Sequence, residues 1–371
     1  MTTVKSTRPT MRTISQMTGV SQATVSIVLS GQPASRSRVS ETTKAAVLAA
    51  AQQIGYTPNH AAKALRSGRS NIIQIALNAL NDPWSWSLVE SIQRQAQQNG
   101  LYTSVLSSDD WFKSLQLYES DVAFIDAVYD DSKTRADLQA LVRNGRRLII
   151  MSDTLLDPQE IGADVVRSNP IPGCELAMAH LLSLTDSIGC LTHESALKPP
   201  SGVSRYTVYR DAMMEAGLTK ATSPAAADRE LAPLVETFDA NTQDAAFTAA
   251  IRLLSSPQRP RAVYATTDFA GRAAISAAQV LGLNVPGDVL VTGAGNSPGA
   301  TAISPTLTTV GPDGFFQGVS QLIVDRALHP APPVLHEFEW RLHKGDSTDI
   351  SLNAEQNNHH LPPKESNAKR K

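Results

Sequence analysis

Gly19-Val20-Ser21-Gln22-Ala23-Thr24-Val25-Ser26-Ile27-Val28-Leu29 is the stretch from which the rest of the chain is read. Gly19-Val20 reads as a turn. Ser21 reads as a helix N-cap, its hydroxyl accepting from an otherwise unpaired first-turn amide. Val25, Val28 and Leu29 recur at helical spacing and form one apolar stripe. Gln22, Ala23, Ser26 and Ile27 fall off that stripe and point outward. Upstream, Thr13-Ile14-Ser15-Gln16 has the form of a capping box and opens a short helix, with Thr10 as the alternative cap. Two short helices joined by a tight glycine turn make a helix-turn-helix, whose second helix enters the DNA major groove. On this stretch alone an arbitrary helical hairpin is the alternative.

The next forty residues decide between the two. Val39-Ser40 starts a third amphipathic helix with Val47, Ala50, Ala51 and Ile54 on one face, ending at Gly55-Tyr56-Thr57-Pro58-Asn59. Ala61 to Ser67 forms a short helix led in by Pro58 and stopped by Gly68. The succession G-V-S-x-x-T-V-S, V-S-x-x-T and G-Y-x-P-N-x-x-A-x-x-L resembles the lactose-repressor family of bacterial transcription regulators. The resemblance extends over roughly Thr10 to Thr348. Its N-terminal motifs are highly specific and the later ones weaker.

Charge agrees with that division. Residues 1–70 carry nine Lys and Arg against Glu41 alone, a net +8, while the remainder carries 24 basic and 34 acidic residues, a net −10. A basic head on an acidic body suits a polyanion-binding domain joined to a sensor. With 371 residues the chain is too long for one ordinary domain. Cys174 and Cys190 lack metal-site spacing and suit a reducing compartment. No signal peptide and no membrane-length apolar run is evident, so the expectation is a cytoplasmic protein without membrane contact. No Ser/His/Asp set, metal cluster or phosphate loop stands at usable spacing. The reading is therefore a non-enzyme with no cofactor and no metal site, His359-His360 included.

From Asn71 the pattern becomes strand-helix-strand, which means parallel sheets covered by helices on both faces. Asn71–Leu77, Tyr102–Leu106, Val122–Ile125 and Leu148–Met151 read as strands of a first series. Asn78 to Trp86 reads as a polar loop, followed by a helix over 88–99. The link Ser107 to Asp121 is short for a full crossover helix. A second series starts at Ile171. It includes strands at Ile188 and Arg261, a helix over 271–281, a turn and strand over Val285–Gly293, a return through Ile303–Val310, and a helix over Phe315–Leu328. The resemblance implies the two-lobed body of periplasmic sugar-binding proteins, with a ligand between the lobes and hinge closure around it.

The expected fold class is thus an N-terminal all-α helix-turn-helix DNA-binding domain with a hinge helix, then an α/β two-lobed periplasmic-binding-protein-like core with parallel sheets. The expected boundaries are 1–57 for the DNA-binding domain, 58–70 for hinge helix and linker, 71–348 for the core and 349–371 for a disordered tail. Within the core, lobe 1 takes about 71–167 and 296–328, and lobe 2 about 168–295 and 329–348.

Function residues follow from the resemblance together with side-chain chemistry. Gln22, Ala23 and Ile27 lie where the family places its base-reading residues. Gln pairs with adenine, Ala meets a thymine methyl, and Ile27 replaces a frequent guanine-reading Arg. Ser21, Thr24, Ser26, Arg38, Thr43 and Asn59 are the phosphate-contact candidates. Leu65, with Ala62 on the groove floor, is expected to wedge into a central base step from the minor groove. In the cleft, Arg205 matches the family Arg. The family's N-D pair is read at Thr266-Thr267, and its G-Y/F-D at Gly293-Ala294-Gly295, with Asn296 next and the ligand-binding Asp gone. That implies a thinned polar clamp. Trp84 and Trp86 are the ring-stacking candidates. The functional expectation is a transcriptional regulator, a repressor, that binds a palindromic double-stranded operator as a homodimer or tetramer. A sugar, sugar phosphate or nucleoside in the cleft would modulate it. The alternative is a solute-binding protein without a regulatory role.

Overall fold

A computed structural model describes residues 9–30, 39–57, 68–77, 82–107, 111–126, 131–152, 156–198 and 202–351. The chain divides into two compact units, Met1–Ser70 and Asn71–Lys371. The short helix expected around 61–67 and, of the expected tail 349–371, everything from 352 onward lie outside the described residues.

The first unit contains helices α1 (Met11–Thr18), α2 (Gln22–Ser30) and α3 (Glu41–Gln53). Thr10, the alternative cap, is the N-cap of α1, and the Thr13 N–H donates to its Oγ1 at 3.3 Å. Gly19 ends α1 with φ at 69°, a left-handed conformation that glycine adopts without a Cβ penalty. The Ser15 hydroxyl donates to the Val20 carbonyl at 2.6 Å and braces that turn. Ser21 caps α2, accepting from the Thr24 N–H at 3.1 Å. Ser40 caps α3 in the same way, accepting from the Thr43 N–H at 3.2 Å. The three apolar stripes meet in one small core of Ile14, Val25, Val28, Val47, Ala50 and Ala51.

The second unit is built on two six-stranded sheets. The first contains β1 (Ile72–Leu77), β2 (Tyr102–Ser107), β3 (Val122–Ile125), β4 (Leu148–Ser152), β5 (Asp164–Arg167) and a late strand, β11 (Leu335–Glu337). Its order is β11-β5-β4-β3-β1-β2, parallel throughout, with Ile73 opposite Tyr102's neighbour Thr103 on one side and Val122 on the other. Strand alternation sends Ile73 and Ile75 to one face, against Leu88 and Ile92 of helix α4 (Pro83–Gln98). Ala76 faces the other layer with Leu115, Leu138 and Leu141. The short link after β2 holds a seven-residue helix, α5 (Trp111–Leu117).

The second sheet contains β6 (Ile188–His193), β7 (Val235–Phe238), β8 (Ala262–Ala265), β9 (Leu290–Ala294), β10 (Thr308–Pro312) and β12 (Trp340–His343), in the order β12-β10-β9-β8-β6-β7. Only β12 runs antiparallel to its neighbour, β10. Alanines at 246, 249, 250, 273, 274, 277 and 278 are buried between the sheet and two covering helices, Gln243–Ser255 and Asp268–Val280. Small side chains let these helices lie close to the strands.

The expected crossing points between lobes need correction. The chain does not return to the first lobe at 296. Thr308-Thr309-Val310 are β-branched and buried, and they extend the second sheet by pairing with Thr292-Gly293-Ala294. The return follows Pro312, through Gly314, into the helix Phe315–Leu328. Leu335–Glu337 then adds to the first sheet rather than the second, and the last passage lies between Glu337 and Trp340.

Candidate functional site

A cavity of about 320 Å³ opens between the lobes at the carboxyl ends of the parallel strands. Its first-lobe wall comes from the start of α4 and the ends of β3 and β4: Trp84, Ser85, Asp82, Asp126 and Ser152. The expected loop over 78–86 is helical from Pro83, because Asp82 is an N-cap that accepts from the Trp84 N–H at 3.1 Å and Pro83 suits the first turn. The Ser85 hydroxyl lies between two carboxylates, 3.1 Å from Asp82 Oδ2 and 3.2 Å from Asp126 Oδ2.

The second-lobe wall is made by Arg205, Thr267, Asp268, Phe269, Arg272, Trp340 and the turn around Ser297. A capping box places Arg205 at the first position of its helix: Ser204 accepts from the Thr207 N–H, and Thr207 Oγ1 accepts from the Ser204 N–H at 2.9 Å. Arg205 Nη1 donates to the Thr266 carbonyl at 2.8 Å, and its guanidinium stands 5.2 Å from the Trp340 ring centre. The Trp340 indole donates to Ser168 Oγ at 2.9 Å. Asp268 is buried, and both its oxygens are bonded, one to the Ser297 N–H at 2.6 Å and the other to the Thr309 hydroxyl. Burial pushes its carboxyl above the ordinary value, against the pull of Thr309, Ser297 and Arg205.

Of the residues expected at this site, Trp84, Arg205 and Thr267 line the cavity. Trp86 does not; it is on the outer side of α4 and 48% exposed. The Thr266 side chain is buried against Thr192 Oγ1 at 3.1 Å, so it offers the site its carbonyl through Arg205 rather than its hydroxyl. Gly295 contributes its carbonyl to the Trp84 indole at 3.3 Å. Asn296 is turned away, donating from Nδ2 to the Pro312 carbonyl at 3.1 Å, and does not stand in for a carboxylate. Three carboxylates, Asp82, Asp126 and Asp268, stand in the cavity wall, and Asp268 has both oxygens bonded within the protein. Asp268 follows the Thr266-Thr267 pair directly. An acid in the first turn of a helix, right after a buried strand, is the signal that marks it.

On the first unit, Ser21, Gln22 and Ala23 are exposed, while Thr24, Ser26, Ile27 and Thr43 are half-buried. The Ser21 and Thr24 hydroxyls lie 2.9 Å apart within the cap of α2, and Thr43 Oγ1 lies 2.8 Å from Ser40 Oγ. Gln22 and Ala23 are thus the residues on the open first turn of α2. Arg38, Asn59, Ala62 and Leu65 lie outside the described residues.

Residues 10–59 match the family described as bacterial regulatory proteins, lacI family, and residues 179–347 match the periplasmic binding protein-like domain. Residues 10–59 form a lacI-family DNA-binding domain. Among its relatives, the transcriptional regulator DegA of Bacillus subtilis is 26% identical over 314 residues, covering 82% of this chain and 86% of DegA. The ribose operon repressor of Escherichia coli is 26% identical over 323 residues, covering 81% and 87%. The fold is similar to that of the lac repressor, solved as a dimer bound to operator and an anti-inducer, with TM-score 0.64, 20% identity and coverage of 92% and 99%. A regulator of the same family from Silicibacter pomeroyi gives TM-score 0.67 at 20% identity, again covering 92% and 99%. The chain is a DNA-binding transcriptional regulator, and its relatives are regulators rather than enzymes. Among its described residues no helix is long and apolar enough to cross a membrane, and no group of His, Cys, Asp or Glu is arranged to hold a metal.

Proposed function

We infer that this regulator is a cytoplasmic repressor, binding a palindromic operator as a homodimer. Its affinity is set by a small polar molecule held between the lobes. The observation that carries the reading is the cavity itself. It is walled by carboxylates and indoles from both lobes and guanidiniums from the second, in a chain whose other unit is a helix-turn-helix. A ligand touching both walls binds the closed arrangement better than the open one. That differential affinity is what couples a cleft to DNA binding. Gln22 and Ala23 read bases, Ser21, Thr24, Ser26 and Thr43 with Arg38 and Asn59 set the register on phosphates, and Leu65 wedges the central step. The relatives support the repressor reading: one is the ribose operon repressor, and others are PurR repressors.

Selection of bound sequences from random DNA tests this, followed by gel shifts in the presence of sugars, sugar phosphates and nucleosides. A dyad-symmetric site whose binding responds to one of these compounds is expected. A module with no sequence preference makes the chain a solute-binding protein instead, and a selected site without dyad symmetry rules out the homodimer.

A further inference from the structure

We propose that Arg272 anchors an anionic group, so that the effector is a polyhydroxylated molecule carrying a carboxylate or a phosphate. This rests on the cleft being the effector site, and it narrows the ligand class.

Arg272 is one turn into the helix Asp268–Val280, on the second-lobe wall of the cavity. Its Nε is buried and has no hydrogen-bond partner among the described residues. The carboxylate one turn earlier, Asp268, does not answer it, because both oxygens are taken by Ser297 and Thr309. Arg205, the other guanidinium of the cleft, is already held by the Thr266 carbonyl and the Trp340 ring. Gly299 leaves room for the guanidinium: a Cβ there would lie 2.6 Å from Arg272 Nη1.

A desolvated guanidinium donor is costly until an acceptor arrives. Its planar fork matches two oxygens of a carboxylate or phosphate. The opposite wall has the other polarity. Asp82 and Asp126, linked through Ser85, accept from hydroxyls and repel an anion. The ligand therefore has two unlike ends, the charged one at Arg272 and a polyol end at the Asp82–Asp126 wall. A neutral sugar would leave the Arg272 donor unanswered, and inorganic phosphate alone would not span to the first lobe.

The test uses the full chain and matched probes: D-glucose, D-gluconate and D-glucose 6-phosphate, then D-ribose, D-ribonate and D-ribose 5-phosphate. Each is titrated calorimetrically into the parent, Arg272→Met and Arg272→Lys. In at least one series the anionic member should bind about ten- to a hundredfold tighter than its neutral partner. The carboxylate and phosphate arms tell which anion is preferred. Arg272→Met should erase the preference while leaving the neutral partner's affinity within about threefold, and Arg272→Lys should keep part of it. The unliganded melting temperature of Arg272→Met should equal or exceed the parent's, since an unanswered donor has been removed. Neutral members binding as tightly as anionic ones, or an unchanged preference in Arg272→Met, overturns the proposal and leaves the cleft as the effector site. A fall in the unliganded melting temperature of Arg272→Met also overturns it, by giving Arg272 a structural role. Failure of every probe to bind removes the proposal together with the effector reading.

Discussion

The Trp84 indole N–H donates to the Gly295 carbonyl at 3.3 Å, joining the first lobe to the second across the cleft. Trp84 is fixed on its own lobe by Phe315 and Phe316, with ring centres 5.3 and 5.4 Å away. Gly295 has φ at 131°, where a side chain is strained, and a Cβ there would lie 3.1 Å from Trp84 Cδ1. The bond therefore depends on a glycine at 295. Trp84→Phe keeps an aromatic ring and loses the donor. It should cost about 0.5–1.5 kcal/mol of stability. Gly295→Ala should cost about 1–3 kcal/mol through backbone strain. Thermal unfolding checks both, and the Trp84→Phe variant should also show a smaller change in tryptophan fluorescence on effector binding than the parent.

Asp164 ties three elements together. It takes Arg326 Nε at 2.7 Å and Nη2 at 2.9 Å, and lies 3.2 Å from His336 Nε2. Burial by itself would raise its carboxyl, but the bonds from His336, Arg326 and the Val334 N–H outweigh that and hold it below its ordinary value. A depressed carboxyl means the unfolded chain takes up the proton first as pH falls. The stabilisation is complete well above an ordinary Asp value of about 4 and is lost as pH drops through the lower native value. Urea unfolding at pH 7 and pH 3 should show that loss in the parent and a smaller one in Asp164→Asn. At pH 7, Asp164→Ala should be destabilised by about 3 kcal/mol, because Arg326 is left half-buried without its partner.

Gln22 is exposed on the first turn of α2 and has no part in the small core of the first unit. Gln22→Ala should leave the melting temperature unchanged and lower discrimination at one base pair of each half-site by about 1–3 kcal/mol. Ser21→Ala should behave differently, losing about 0.5–2 kcal/mol of helix stability with the cap. Gel shifts beside thermal melts separate the two, and a Gln22→Ala protein with parental sequence preference would show that Gln22 reads no base.

The net +8 of residues 1–70 should make operator affinity fall steeply with salt, and Arg66→Ala should flatten that slope. Leu65→Ala keeps helix propensity, so its effect should come from the lost wedge. Specific affinity and DNA bending should both decrease, with non-specific binding nearly unchanged. Circular-permutation bending assays at fixed salt decide it; parental bending by Leu65→Ala would place that side chain against protein.

Local chemistry alone determined the helix-turn-helix. Caps at Ser21 and Ser40, the glycine turn at 19 and stripes such as Val25-Val28 act within a few residues, so spacing in the chain is spacing in space. The same holds for the parallel strands at Ile72 and Val122, whose buried apolar runs admit few other readings. The helix start at Asp82-Pro83 was also present as a cap signal, although the polar run around it reads as a loop. Tertiary structure decided the rest. Whether Thr308–Pro312 joins the first sheet or the second depends on which strand edge is open to pair, and that edge is formed by Leu290–Ala294 of the same lobe. Asp268, Asp126 and Arg272 become one site only when two lobes bring together residues more than a hundred positions apart. Which polar group is satisfied and which is left for a ligand is likewise a property of the packed chain. Asp268 is occupied because Ser297 and Thr309 fold back onto it, whereas Arg272 Nε has no hydrogen-bond partner among the described residues.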